Sequence, residues 1–285
     1  MPEVNVPTLL ISSITFAAAF PTLGSAFQGP VTNLYFAHML ALIPISDANP
    51  TRRFPYVTIG IIVANVLAFF REPGFGSGLE ANLYFFQNGP IPCQLEATCP
   101  SALQIGSEII NIPERGLASF LTAILVSTFL HAGFLHIIGN MLFLWVFGNN
   151  IEDFLGPVKY LAFYLLGGIA AAWAHIFTHS DSVVPAVGAS GAVAAVMGAY
   201  LILHPRARVN VLVPIIIIFT VIQMPAFAVL ALWFVYQFFI GAQEAGGATS
   251  VAWMAHVGGF AFGLLGILLL GGRPQRPARV WHPRY

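Results

Sequence analysis

Gly188-Ala189-Ser190-Gly191-Ala192 opens an apolar run that continues to residue 203, directly after the polar, turn-rich stretch 179–185. A serine at that junction stands where loop becomes helix. The first backbone N–H groups of a helix have no intrahelical partner, and the helix dipole adds partial positive charge there. A hydroxyl nucleophile at such a point has oxyanion donors beside it. The same small residues would also suit close helix packing in a membrane, with no chemistry attached. A second stretch weighs against that plainer reading: Ala255-His256-Val257-Gly258-Gly259 sets a histidine in another apolar run far downstream.

Composition fixes the class of protein around this stretch. The chain has 285 residues, 58% of them hydrophobic and 8% charged, where a soluble domain carries roughly 25% charged residues. The expectation is an all-α, polytopic membrane protein. A formal net charge of zero offers no electrostatic footprint for nucleic acid. Residues 1–51 contain no Lys or Arg, so the basic start of a secretory signal is missing. Residues 1–45 read as a hydrophobic extension broken by Pro7, Pro21, Pro30 and Pro44, within which 8–27 is just long enough to span. Six spans are predicted at 54–70, 133–151, 158–177, 190–203, 211–240 and 251–270. The fifth contains Pro214 and Pro225 and should kink or tilt. Residues 71–132 form an insert, Gly/Pro-rich as far as 116, then a short apolar segment, 117–130, suited to the membrane interface. The core is therefore 46–272, followed by a basic tail, 273–285.

Charge assigns the sides. Arg52, Arg53, Lys159, Arg206, Arg208, Arg273, Arg276, Arg279 and Arg284 fall on one side, and only Arg71 and Arg115 on the other. The positive-inside rule then makes both ends of the core cytoplasmic and turns the insert outward. The starts of spans two, four and six share the outer leaflet, and they carry His131 and His136, Ser190, and His256. The only cysteines, Cys93 and Cys99, lie in the insert. The outward placement permits oxidation, so they should form a disulfide, with two unpaired thiols as the alternative.

Polar side chains inside spans are costly and mark function by default. His136 and Asn140 are four apart and share one helix face, where both can donate to a developing oxyanion. They could equally tie helices together. His256 can serve as general base, taking the Ser190 proton and returning it to a leaving amine. No acid lies in span six to orient it, so the pair is a dyad. Ala255, Gly259 and Gly263 form a small-residue ladder on the His256 helix, for which Gly191 and Gly198 are natural partners. Two other classes remain. His131, His136, His175 and His179 could gather round a metal, although no His-Glu-x-x-His pattern is present. A non-catalytic scaffold or transporter would use the same small residues. No cofactor or metal is expected.

Taken in order, His136-x-x-x-Asn140, Gly188-Ala189-Ser190-Gly191 and Ala255-His256-x-Gly258-Gly259 resemble the three signatures of rhomboid intramembrane serine proteases. The stretch from Ile43-Pro44-Ile45-Ser46-Asp47 through Arg53-Phe54-Pro55 is similar to bacterial members. The resemblance covers about 43–271. It implies a six-transmembrane-helix bundle with Ser190 as nucleophile and His256 as base. It also implies an oxyanion site lined by His136, Asn140 and the Ser190 N–H. His131, Gly188, Gly191, Gly258 and Gly259 would support the site. Gly148-x-x-x-Glu152-x-x-x-Gly156 looks like a family structural motif, with Glu152 bonding near the cytoplasmic end. The implied activity is endoproteolysis of membrane-spanning proteins near the outer face of a bilayer, here a bacterial inner membrane, through an acyl-enzyme. The oligomeric state is left open. Ala194 stands where many members carry an aromatic residue that stacks on the histidine, and the region around Ser127-Thr128 lacks a Trp-Arg pair. The polar stretches 179–185 and 241–250 flank the site and would shape its entrance.

Overall fold

The computed structural model describes residues 43–96, 99–105, 108–215, 218–245 and 252–274. The extension 1–42, residues 246–250 of the flanking stretch and the tail beyond 274 lie outside them. Eight α-helices are present among these residues: α1 Tyr56–Phe69, α2 Leu79–Asn88, α3 Leu117–Ser127, α4 Phe134–Leu155, α5 Pro157–Thr178, α6 Ser190–Leu203, α7 Ala226–Ala245 and α8 Trp253–Leu269. The described residues also form five strands. β1 Ile43–Asp47, β4 Arg208–Ile215 and β5 Ile218–Pro225 form one antiparallel sheet with β4 in the middle. β2 Ala102–Ile105 and β3 Glu108–Asn111 form a hairpin within the insert.

The bundle is built around α6. Eleven of its fourteen residues are buried, as a helix that is apolar all round requires. Its small residues let neighbouring backbones come close. A Cβ on Gly198 would overlap the carbonyl oxygen of Phe260 in α8, and one on Gly263 would overlap that of Ala195. On the α5 side, a Cβ on Gly167 would stand 2.5 Å from the Ala195 Cβ. Lipid tails are as apolar as these side chains, so association depends on this dense packing.

One correction to the sequence reading concerns the fifth span. The predicted fifth span, 211–240, begins as the β4–β5 hairpin, and helix starts only at Ala226. Hydropathy does not distinguish the two states, but residue type does. Val209, Val211, Val213, Ile215, Ile218, Thr220, Val221 and Ile222 are β-branched and favour the pleated strand. Pro225 closes the strand immediately before the helix. The sequence also predicts six crossing helices. Among the described residues two, Phe134–Leu155 and Pro157–Thr178, are long and apolar enough to cross a membrane by length and composition. The fourth and sixth spans correspond to helices of 14 and 17 residues, about 21 and 26 Å at 1.5 Å per residue, short of a hydrocarbon core of about 30 Å.

The two ends of the bundle are held differently. Far from Ser190, Glu152 at the end of α4 caps α1. Its Oε1 accepts from the Val57 N–H (2.9 Å), and its Oε2 from the Thr58 N–H and hydroxyl (both 2.7 Å). A carboxylate there satisfies N-terminal donors that no capping side chain of α1 reaches. Gly148 admits the neighbouring helices, because a Cβ on it would meet the Tyr160 hydroxyl at 2.6 Å and Thr58 Cγ2 at 3.1 Å. Gly156, at φ 75°, turns the chain from α4 into α5. Asp47 in β1 accepts from Tyr200 (2.5 Å) and Asn150 (2.9 Å), joining the sheet to α6 and α4. Burial raises its carboxyl to about 6.

At the Ser190 end the insert is folded. Cys93 and Cys99 are joined by a disulfide. Phe86, Ile91, Cys93, Leu103, Ile110 and Ile112 make a small core of their own. The segment 117–130 contains α3, which packs Phe120 and Ile124 against Ala172 and Ile176 of α5.

Candidate active site

Ser190 is the first residue of α6. The loop before it is pinned to the insert: Cys93 donates to the Ser182 carbonyl (3.0 Å), Ala186 to that of Pro90 (2.9 Å), and Gly188 to that of Ser127 (2.9 Å). Gly188 has φ 129°, which a side chain would resist. A Cβ on it would also lie 2.9 Å from His136 Nε2 and 3.5 Å from Ser190 Oγ. Glycine therefore lets the chain pass close to the His136 ring, where a Cβ would collide with it.

His256 lies in the first turn of α8, and its Nε2 is 2.8 Å from Ser190 Oγ. The glycine ladder brings the two helices this close. A Cβ on Gly259 would overlap the Gly191 carbonyl oxygen, and one on Gly258 would overlap Ala174 of α5. On its other side, His256 Nδ1 meets Gln237 Oε1 of α7 at 2.6 Å, in buried surroundings. The Trp233 ring lies 5.8 Å from the His256 ring.

His136 is in the first turn of α4, and its Nδ1 accepts the Ala132 N–H at 3.2 Å. A neutral imidazole carries one N–H, so in that form the His136 proton sits on Nε2, on the side of the ring next to Gly188. Asn140, one turn on, is 5% exposed, and its Nδ2 has no hydrogen-bond partner among the described residues. His131 is fully buried and edge-on to His136, with ring centroids 5.2 Å apart. Burial, helped by the proximity of His136, lowers it to about 3, so it is neutral. Its backbone N–H donates to Glu72 Oε1 (3.0 Å), and burial raises Glu72 to about 7.

The structure thus brings Ser190, His256 and His136 together and leaves the Asn140 amide on the His136 face of α4. It does not gather the four histidines of the metal alternative. His175 and His179 stack on each other at 4.9 Å, and among the described residues no three His, Cys, Asp or Glu side chains converge. Sequence reasoning missed Gln237, Trp233 and Glu72. The signal was there for Gln237, an amide inside an apolar helix.

The Rhomboid domain family matches residues 118–273. The chain belongs to the rhomboid family. It is a family of membrane proteases. The chain is 30% identical over 134 residues to the zebrafish (Danio rerio) presenilin-associated rhomboid-like protein A, mitochondrial, covering 45% of this chain and 35% of that protein. It is 31% identical over 150 residues to Rhomboid protein 1, mitochondrial, of Saccharomyces cerevisiae, covering 50% and 40%. With the human presenilin-associated rhomboid-like protein, mitochondrial, it shares 28% over 213 residues, covering 70% and 47%. The chain spans less than half the length of these relatives. They are mitochondrial, which overturns both the bacterial resemblance and the bacterial inner-membrane location expected from sequence. The physical reason is that the rhomboid signatures encode a site and carry no address, and a charge bias separates two sides of a membrane without naming the membrane.

Proposed function

We propose that this chain is an intramembrane serine endopeptidase. It cleaves membrane-spanning proteins near the membrane face that bears the 71–132 insert, through a Ser190–His256 dyad and an acyl-enzyme. The observation that carries the reading is the 2.8 Å approach of His256 Nε2 to Ser190 Oγ at a helix N-terminus. As Oγ attacks the scissile carbonyl, His256 takes its proton. The carbonyl oxygen gains charge beside His136 Nε2–H, Asn140 Nδ2 and the Ser190 N–H, donors that need little rearrangement when charge develops. His256 then protonates the leaving amine, and the acyl group stays on Ser190. Water attacks next, with His256 again as base, and frees the serine.

The same reading takes α1 and α4–α8 as six crossing helices of a catalytic unit at 46–272, flanked by the 1–45 extension and the 273–285 tail. The short α6 supports a nucleophile below the membrane surface. With its far end at the opposite surface, a helix of about 21 Å leaves Ser190 roughly 9 Å inside a 30 Å hydrocarbon layer. A substrate helix must be locally extended there, which strands backbone groups unless the cavity is wet. Gly or Pro near the cut lowers that cost. A serine-directed fluorophosphonate tests the assignment: the adduct should map to Ser190 and disappear in Ser190→Ala. An adduct elsewhere, or none, would overturn it.

A further inference from the structure

We infer that Gln237 is a positioning residue that holds His256 in the one tautomer able to act as base toward Ser190. The inference rests on the Ser190–His256 reading above and replaces an unassisted dyad with a relay of three side chains from three helices. Gln237 lies within α7 and is 2% exposed. Both ends of its amide are occupied. Nε2 donates to the Trp233 carbonyl one turn earlier (3.3 Å), and Oε1 faces His256 Nδ1 at 2.6 Å. Reversing the amide would set two oxygens, Oε1 and the Trp233 carbonyl, against each other, so the orientation is determined. An oxygen at 2.6 Å from Nδ1 requires the proton to be on Nδ1. Neutral imidazole has only that one N–H, and its lone pair is left on Nε2, 2.8 Å from the Ser190 hydroxyl.

The amide differs from a carboxylate in what it can do. It selects the tautomer and the ring angle but brings no charge to stabilise the imidazolium. Packing completes the restraint. Trp233 lies against both His256 (5.8 Å) and Phe260 (6.1 Å), and Phe234 against Phe260 (4.8 Å), so the α7–α8 contact sets the length of the Gln237–His256 bond. Among the described residues, the other titratable groups that act on His256 are His136 on α4 and His175 on α5. The base is therefore correctly poised only while α7 is docked.

The test uses the full chain in liposomes with a fluorogenic membrane-spanning substrate, comparing wild type, Gln237→Met, Gln237→Glu and Ser190→Ala. Methionine keeps the volume and removes the acceptor. It should lower kcat by at least about tenfold with KM changed less than about twofold, since the loss falls on the base rather than on binding. Glutamate restores the acceptor, so activity should return to within about threefold of wild type, which a loss of packing would not allow. Its charge favours the imidazolium, so the acid limb of kcat/KM should move to higher pH. Wild-type kcat in Gln237→Met, or an unshifted acid limb in Gln237→Glu, would overturn the inference. If Gln237→Met does not fold, the Gln237→Glu profile decides. Turnover by Ser190→Ala would instead overturn the dyad beneath it, so the two failures are distinct.

Discussion

Gly259→Val is the most informative disruption of the bundle. A Cβ there would overlap the Gly191 carbonyl oxygen, stand 3.0 Å from its carbon and lie 3.3 Å from Ala171 Cβ. Carbon contacts settle at about 3.5–4.0 Å, so α8 must retreat from α6 by roughly 1 Å. His256 is one turn away on the same helix and moves with it. Its 2.8 Å contact with Ser190 then lengthens beyond the roughly 3.2 Å at which a hydrogen bond is effective. A displacement of about 1 Å at a catalytic pair costs on the order of a hundredfold in rate. Overpacking also costs about 1–3 kcal/mol of stability, so a control with a comparable stability loss is needed. Gly271→Val supplies it. A Cβ on Gly271 meets nothing within 4 Å, but φ is 82°, a strain of about 1–3 kcal/mol for a non-glycine residue. The assay is kcat for a membrane-spanning substrate alongside the thermal midpoint of each variant. Equal kcat in the two variants would refute the claim that the α6–α8 approach through Gly259 sets the catalytic distance.

Other consequences follow from single contacts. Asn140→Ala removes an unpartnered donor and should lower kcat by about a hundredfold, roughly 3 kcal/mol, with little change in KM; an effect confined to KM would exclude an oxyanion role. Replacing Cys93 and Cys99 by serine should lower the thermal midpoint, since closing so short a loop is worth about 2 kcal/mol. Loss of the brace under 182–188 should also slow turnover, and identical melting and turnover would show that the brace is idle. Glu72 is raised in the folded state, so its contribution to stability is complete below its ordinary value of 4.5 and is lost as pH rises through about 7. The melting advantage of wild type over Glu72→Gln should therefore shrink between pH 5 and pH 8, and a constant difference across that range would contradict a carboxyl whose charged form is disfavoured by burial.

What could be read from the sequence was local. The spacing of His136 and Asn140, the Gly188–Ala192 junction and the glycines after His256 are short patterns whose consequences a helix fixes. Ser190 and His256 are 66 residues apart, and the small-residue ladder was the clue that their helices could approach. The Gln237–His256 bond was not legible, because it depends on how α7 is rotated against α8, and an isolated amide in an apolar run does not name its partner. The β1–β4–β5 sheet was missed for a different reason. Hydropathy was used where residue shape was the better guide, and the β-branched run 209–222 carried that signal. Glu72 falls in the insert just after the first span, and only the fold brings the His131 N–H to it.

The central claim is that Ser190 and His256 act as one unit. The direct measurement is turnover of a membrane-spanning substrate by Ser190→Ala, His256→Ala and the double variant, each purified and shown to melt cooperatively. Residues that act together are not additive: either single variant should lose nearly as much as the double one. All three are expected to fall to the uncatalysed background. Turnover near wild type in either single variant, or losses that multiply in the double variant, would contradict the account.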